Sequence, residues 1–238
     1  MNTHAATPTG YVVSDLHIFS SSSLYSRYIP NFIRAVQQHA VVVLNGDTFD
    51  FKRSIYSSSA ETTKHAIDWL DKLCLDHPQT TFYYLIGNHD CHLQFLSALK
   101  EQLSELANLT VIPDALKLGD KIFIHGDVVD LPAGCNDLAK SRARYAQAEP
   151  SLLSKLSAEV ITRLRLNLVE YLRHSNQRLA AKILSYLDFA MPDFRQNTRE
   201  IFFGHTHVPI RHFEYDGIIF HNTGSLVRGL TWMPMEFD

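Results

Sequence analysis

Seven side chains of metal-ligating type, Asp15, His17, Asp47, Asn88, His125, His205 and His207, fall in five short blocks: SDLH, NGDTFD, GNHD, HGD and GHTH. Imidazole, carboxylate and one amide oxygen without thiolate suit Mn²⁺, Fe, Co²⁺, Ni²⁺ or Zn²⁺, with Mn²⁺ the first choice. The same donor set argues against a closed structural cysteine site and against an all-oxygen calcium site. In SDLH and GHTH the two polar residues stand at i and i+2, so on an extended backbone they project to one side and converge. Taken singly, each block reads better as a chance pair, turn or loop than as a ligand motif. Five in this order, each behind an apolar run, point to one metal centre.

The elements that must position these residues are short apolar runs rich in β-branched and aromatic side chains. They alternate with longer helical stretches, the pattern of a layered α/β protein. Strands are expected at 11–15, 41–45, 82–86, 109–112, 122–125, 201–204 and 218–221, and helices at 25–39, 61–75 and 92–106. Runs such as VVVLN and FYYLI suggest strands covered on both faces. The candidate ligands then lie just past the carboxyl ends of the strands, where open α/β sheets place their sites. Glycines at 46, 87, 126 and 204 allow turns or close approach beside them. Among the other histidines, His221 in FHNTGS is the best candidate for a supporting role, because it ends a strand. The run 222–238 leaves open two arrangements, closure over the cluster or completion of a sheet edge.

One region breaks the alternation. Residues 137–199 contain no strand pattern, and we read them as a helical cap inserted into a single domain spanning 1–238. Leu152, Leu156, Val160, Leu164, Leu168 and Leu172 recur every four positions, and Leu179, Ile183 and Leu187 form a second stretch. The segment carries 11 Lys+Arg against 6 Asp+Glu, whereas the remainder carries 11 against 19. A basic cap on an acidic body fits an anion- or membrane-facing role, and equally a solvated helical pair packed on the body.

Bulk properties narrow the class. The chain has 238 residues and a formal charge of -3, with 45% hydrophobic and 20% charged residues, ordinary values for one globular unit. No stacking pattern of aromatic and basic residues accompanies the site, so nucleic acid is not expected as a partner. Three cysteines without disulfide or zinc spacing fit a reducing compartment, and no signal or membrane-spanning pattern is evident. A cytoplasmic location follows as the expectation, with peripheral contact at the inner membrane left open.

The order DLH, GDTFD, GNHD, HGD, GHTH resembles the calcineurin-like metallophosphoesterase superfamily, over Asp15 to His207. The resemblance implies a four-layer αββα sandwich, two mixed β-sheets flanked by helices. It also implies two divalent ions, one on Asp15, His17, Asp47 and His207 and a second on Asp47, Asn88, His125 and His205. His89 is then the general acid or phosphate contact, and Asp50 its orienting partner. Two divalent ions and two ligand carboxylates leave a cluster of about +2, which attracts a phosphate dianion and ionises a water to attack phosphorus. The layout, with a basic and apolar helical insert between HGD and GHTH, is similar to the UDP-2,3-diacylglucosamine hydrolases of lipid A synthesis. That similarity implies a lipid-linked nucleotide substrate, with acyl chains on the cap and Arg163, Arg165, Arg173 and Arg178 meeting phosphate or headgroups. The best-known branch of that group has Arg after the motif Asn, where this chain has His89. Two alternatives stand beside it: a soluble phosphomonoesterase or phosphodiesterase acting on small phosphates, and a non-catalytic scaffold.

Overall fold

The run VVVLN accounts for the layering. In the computed structural model, which describes residues 9–102, 106–132, 134–151 and 175–238, all five of its residues are buried. Val42 and Leu44 enter a core shared with helices, while Val41 and Val43 enter a second core between two sheets. A strand apolar on both faces therefore sits in the middle of the stack.

The first sheet has β1 (Gly10–Val13), β2 (Val41–Asn45), β3 (Thr81–Leu85) and β4 (Leu109–Ile112) in parallel. The C-terminal strand β10 (Met235–Phe237) pairs antiparallel with β1, giving the order β10-β1-β2-β3-β4. Completion of a sheet edge is thus the arrangement adopted by the end of the chain. The second sheet has β5 (Ala115–Leu118), β6 (Lys121–Ile124), β7 (Glu200–Phe203), β8 (Ile210–Tyr215) and β9 (Ile218–Asn222), in the order β5-β6-β7-β9-β8. Its centre is parallel and its two edges are antiparallel.

Helices cover both outer faces. On the first sheet lie α1 (Tyr25–Gln38), α2 (Ser59–Asp76) and α3 (Leu93–Gln102), which bury Phe32, Val36, Leu70 and Phe95. Beyond a short α4 (Leu138–Arg142), helix α5 (Asn176–Ala190) buries Leu179, Ile183, Leu184 and Leu187 against Ile122, Ile201 and Phe220 of the second sheet. The spacing of the α5 residues gives one apolar stripe, and each full burial contributes roughly 1.5–3 kcal/mol. Between the sheets, Phe123 and Phe202 stack at 5.1 Å and meet Val12, Val43 and Leu85. The expected sandwich of two mixed sheets flanked by helices is present.

Of the segment 137–199, α4 and α5 fall among the described residues. The repeat from Leu152 to Leu172, with Arg163, Arg165 and Arg173, lies outside them. Three strands escape the sequence pattern for physical reasons. β5 carries Lys117 and is only partly covered, β8 is interrupted by a register shift between Ile210 and Phe213, and β10 has three residues.

Candidate metal centre

All seven ligand candidates converge at the carboxyl ends of β1, β2, β3, β6 and β7. Asp15, His17, Asp47, Asn88 and His125 are buried, and His205 and His207 line the rim. His17 Nε2 lies 3.1 Å from His207 Nε2, 3.8 Å from Asp15 Oδ1 and 3.9 Å from Asp47 Oδ2. His207 Nε2 is 3.2 Å from Asp15 Oδ1. On the other side, His125 Nε2 stands 3.3 Å from Asp47 Oδ1 and 3.2 Å from Asn88 Oδ1, which is 2.9 Å from His205 Nδ1. Asp47 belongs to both groups.

These spacings test whether divalent ions fit. Donor atoms at about 2.1 Å from one ion stand about 3.0–3.4 Å apart along the edges of its polyhedron. Most of the separations above fall in that range, and among them the contact of His17 Nε2 with His207 Nε2, two like groups, has the least reason to form without an ion. Among the described residues, three sets of side chains able to ligate a metal have donor atoms within 4.8 Å of one another: Asp15, His17 and His207; Asp47, His125 and His205; and His17, Asp47 and His89. The residues present fit two ions sharing Asp47.

Backbone geometry brings the pairs together by a different route from the pleat expected of an extended chain. Asp15, His17, Asp47, His205 and His207 all have positive φ, between 46° and 64°. The left-handed region costs an L-residue roughly 1–2 kcal/mol, least for Asp and Asn. Five such residues in one cluster mark strain held by the surrounding fold, as functional sites often show. Close packing reinforces it. A Cβ on Gly87 would overlap the Asp47 carboxylate, and one on Gly204 would overlap that of Asp15.

Neighbouring groups orient the ligands. The backbone carbonyl of Asn45 takes the Nδ1 proton of His125 at 3.1 Å, which leaves Nε2 as the free donor toward Asp47 and Asn88. Asp15 accepts the backbone N–H of His205, and Asp47 Oδ1 accepts that of His89 at 2.7 Å. Asp130 Oδ2 lies 3.0 Å from His205 Nε2. Burial opposes charge at Asp47, yet His125, His89 and His17 outweigh it and hold the carboxyl well below its usual range. Burial likewise opposes protonation of His125, but Asp47 and Asp15 prevail and raise its pKa to about 10.

Asp50 and His89 form the expected pair. Asp50 Oδ1 is 3.0 Å from His89 Nδ1, while Oδ2 is 3.6 Å from His17 Nδ1, so one carboxylate serves both rings. Burial disfavours charge on His89, but Asp50 and Asp47 overcome it and its pKa is raised. A polar cavity of about 240 Å³ opens over the cluster, with His89, Asn88, Arg53, Arg144 and Tyr145 among its walls.

Other positions differ from expectation. His221 points away from the cluster, stacking on Phe202 at 4.7 Å with Nε2 3.0 Å from Glu200 Oε2. Successive strand residues face opposite sides, so its neighbour Asn222 takes the supporting role, donating to Gly204 O at 2.8 Å and Thr206 Oγ1 at 3.1 Å. Arg178 is exposed on α5 and is not part of the cavity wall. Sequence reasoning also passed over Asn45 and Asp90. Asn45 donates to Ile124 O and Phe202 O across the two sheets, and its signal was a polar residue closing an apolar run. Asp90 accepts from the backbone of Thr48, Phe49 and Gly87, and burial with the Asp47 charge raises its pKa to about 7. Its signal was a carboxylate inside GNHD, next to the residues that drew attention.

The calcineurin-like phosphoesterase family model matches residues 11–209. The chain belongs to that family. It is accordingly a metal-dependent phosphoester hydrolase, and the clustered Asp and His side chains are of the type and spacing that could hold its metal. No curated protein matches this phosphoesterase by sequence. Among solved structures, a dimetal phosphatase from Danio rerio is 14% identical, covering 93% of this chain and 88% of its own, with a TM-score of 0.46. A predicted phosphoesterase from Streptococcus pneumoniae is 17% identical, with coverages of 97% and 83% and a TM-score of 0.40. Yfce, a phosphoesterase from E. coli, is 15% identical, with coverages of 92% and 80% and a TM-score of 0.38. Among the described residues no helix is long and apolar enough to cross a membrane.

Proposed function

We propose that this phosphoesterase cleaves the pyrophosphate of a lipid-linked nucleotide, UDP-2,3-diacylglucosamine giving UMP and 2,3-diacylglucosamine 1-phosphate, with manganese as its ion. One observation carries the reading. The segment 142–146 separates the polar cavity over the metal cluster from an apolar groove of about 670 Å³. Arg144 and Tyr145 face the cavity, and Ala143 and Ala146 face the groove with Leu93, Leu96 and Phe189. Phosphate and acyl environments are therefore neighbours across one strip of chain. Leu93 and Phe189 are exposed, at 53% and 63%, an apolar surface suited to hydrocarbon. The basic composition of 137–199 supports contact with an anionic membrane surface.

When bound, two divalent ions supply Lewis acidity toward phosphoryl oxygens and a water ionisable near neutral pH. The protein supplies the rest. Asp15, His17, Asp47 and His207 would hold one ion, and Asp47, Asn88, His125 and His205 the other. His89, whose pKa Asp50 raises, donates its proton to the departing oxygen, a contribution of typically 10²–10⁴-fold. Asp50 holds Nδ1 and so aims Nε2 at the cavity.

The polar character of the cavity itself favours a second reading, a soluble phosphodiesterase or phosphomonoesterase acting on nucleotides. Activity with UDP-2,3-diacylglucosamine in detergent micelles separates the two. The lipid reading expects turnover of that substrate at least tenfold above UDP-N-acetylglucosamine and nucleotide monoesters. The reverse order would leave the soluble reading.

A further inference from the structure

The wall of the cavity that the candidate metal ligands line also carries two guanidiniums, and nothing in the metal chemistry requires them. Arg53 follows the GDTFD block, and its backbone N–H is donated to Asp50 Oδ1 at 2.9 Å. Its side chain is half-buried and lines the cavity, near enough that its charge opposes protonation of His89. Among the described residues no carboxylate lies within ion-pair distance of it. A half-buried guanidinium with no counter-ion among the described residues is poised for an anion, and its fork matches two phosphoryl oxygens.

Arg144 stands on the same wall. Its guanidinium lies 4.9 Å from the centre of the Tyr145 ring, which is 5.2 Å from that of His89. Its nearest carboxylate, Asp130, is 4.0 Å away at an exposed position, too weak a contact to tie it down. The chain around it is firmly held. Arg142 is buried in a bidentate pair with Asp127 at 2.7 and 3.0 Å. The backbone of Leu93 donates to Ala146 O, and Glu149 accepts from the backbone and hydroxyl of Ser59 at the start of α2. Residues 142–149 are thus pinned at both ends, and the ring of Tyr145 offers the Arg144 guanidinium a face to rest on beside the cavity.

We propose that Arg53 and Arg144 recognise a second phosphoryl group, adjacent to the one over the metals, with Tyr145 as a positioning residue. The wall would then select phosphoanhydride-linked substrates over esters of a single phosphate. This rests on the hydrolase reading of the same site and names the class of substrate that it takes.

Titration calorimetry on the full-length, manganese-loaded protein tests the assignment with two non-hydrolysable probes, methylenediphosphonate and methylphosphonate. The Arg53→Ala, Arg144→Ala double variant is expected to lose at least tenfold more affinity for the diphosphonate than for methylphosphonate. Chelation of the ions by the diphosphonate is common to both proteins and cancels in the comparison. Equal losses for the two probes, or none, overturn the proposal. Should the double variant fail to fold, Arg53→Lys alone makes the same comparison, with a differential of at least threefold expected from the lost fork. Tyr145→Phe is expected to retain wild-type discrimination, and Tyr145→Leu to lose part of it; two equal results would remove Tyr145 from the proposal. Binding is read without turnover. Discrimination in a protein that hydrolyses no phosphoester would contradict the hydrolase reading alone, whereas hydrolysis with unchanged discrimination would contradict this inference alone.

Discussion

The two sheets contribute unequal chemistry to the one site between them. From the first come Asp15, His17, Asp47, Asn88 and the His89–Asp50 pair, hence both candidate ligand carboxylates and the proposed proton donor. The second gives His125, His205 and His207, imidazoles only. Neither half is sufficient, because Asp47 belongs to one sheet and the imidazole of His125, 3.3 Å away, belongs to the other. The metal centre therefore reports whether the two sheets are docked, and Asn45, bridging to Ile124 and Phe202, helps to hold them.

The sharpest way to break this asymmetry is Asp47→Ala, which removes the ligand common to both halves. Hydrolysis of bis-p-nitrophenyl phosphate is expected to fall to background, with bound metal dropping below two per chain by elemental analysis. His89→Ala should instead lower kcat by 10²–10⁴-fold while metal content stays at the wild-type level, since the first sheet retains its ligands. A result in which both variants lose metal equally would merge the two roles.

Proton linkage gives the next effect. In the metal-free protein the raised pKa of His125, about 10, means that this imidazole carries a proton at neutral pH. His205 shifts the same way, because the Asp130 hydrogen bond and neighbouring acidic charge outweigh its burial. Ions need neutral imidazole, so binding must expel the His125 proton, and affinity rises with pH by up to about tenfold per unit for each proton released. Calorimetry in buffers of different ionisation enthalpy would count them; affinity independent of pH from 6 to 9 would contradict the second sheet's role.

Asp50→Asn is expected to cost about tenfold in kcat. Asp50 raises the His89 pKa, so its neutralisation should move the basic limb of the pH–rate profile to lower pH. An unmoved limb would separate Asp50 from the proton donor. Smallest is Asn45→Ala, which leaves two buried carbonyls without their donor at the seam. A loss of about 1–3 kcal/mol in stability to denaturant is expected, with both metal sites weakened together because the sheets share them.

Much of this protein was legible in its residue order. The five blocks, their position behind apolar runs, and the strands at 41–45 and 109–112 follow from periodicity and residue type, which are local properties. The αββα arrangement followed from the resemblance those blocks carry. Other features depend on partners distant in sequence. Strand β10 is only three residues long and exists because β1 offers it an edge; Asp90 is buried because three backbone N–H groups converge on it. His221 and Asn222 could be ranked only once the strand's two faces were known.

Sequence alone determined the donor types, their order along the chain and hence the family and its metal chemistry, because ligand preference is a property of the side chains themselves. Tertiary structure alone decided that the ligand pairs converge through left-handed backbone rather than pleat, since that strain persists only under the packing of Gly87, Gly204 and their neighbours. It also decided that Arg53, from the GDTFD loop, and Arg144, from the start of the insert, face one cavity. No spacing rule encodes that meeting of residues 91 positions apart; it arises when Arg142 and Glu149 fasten the insert to the body.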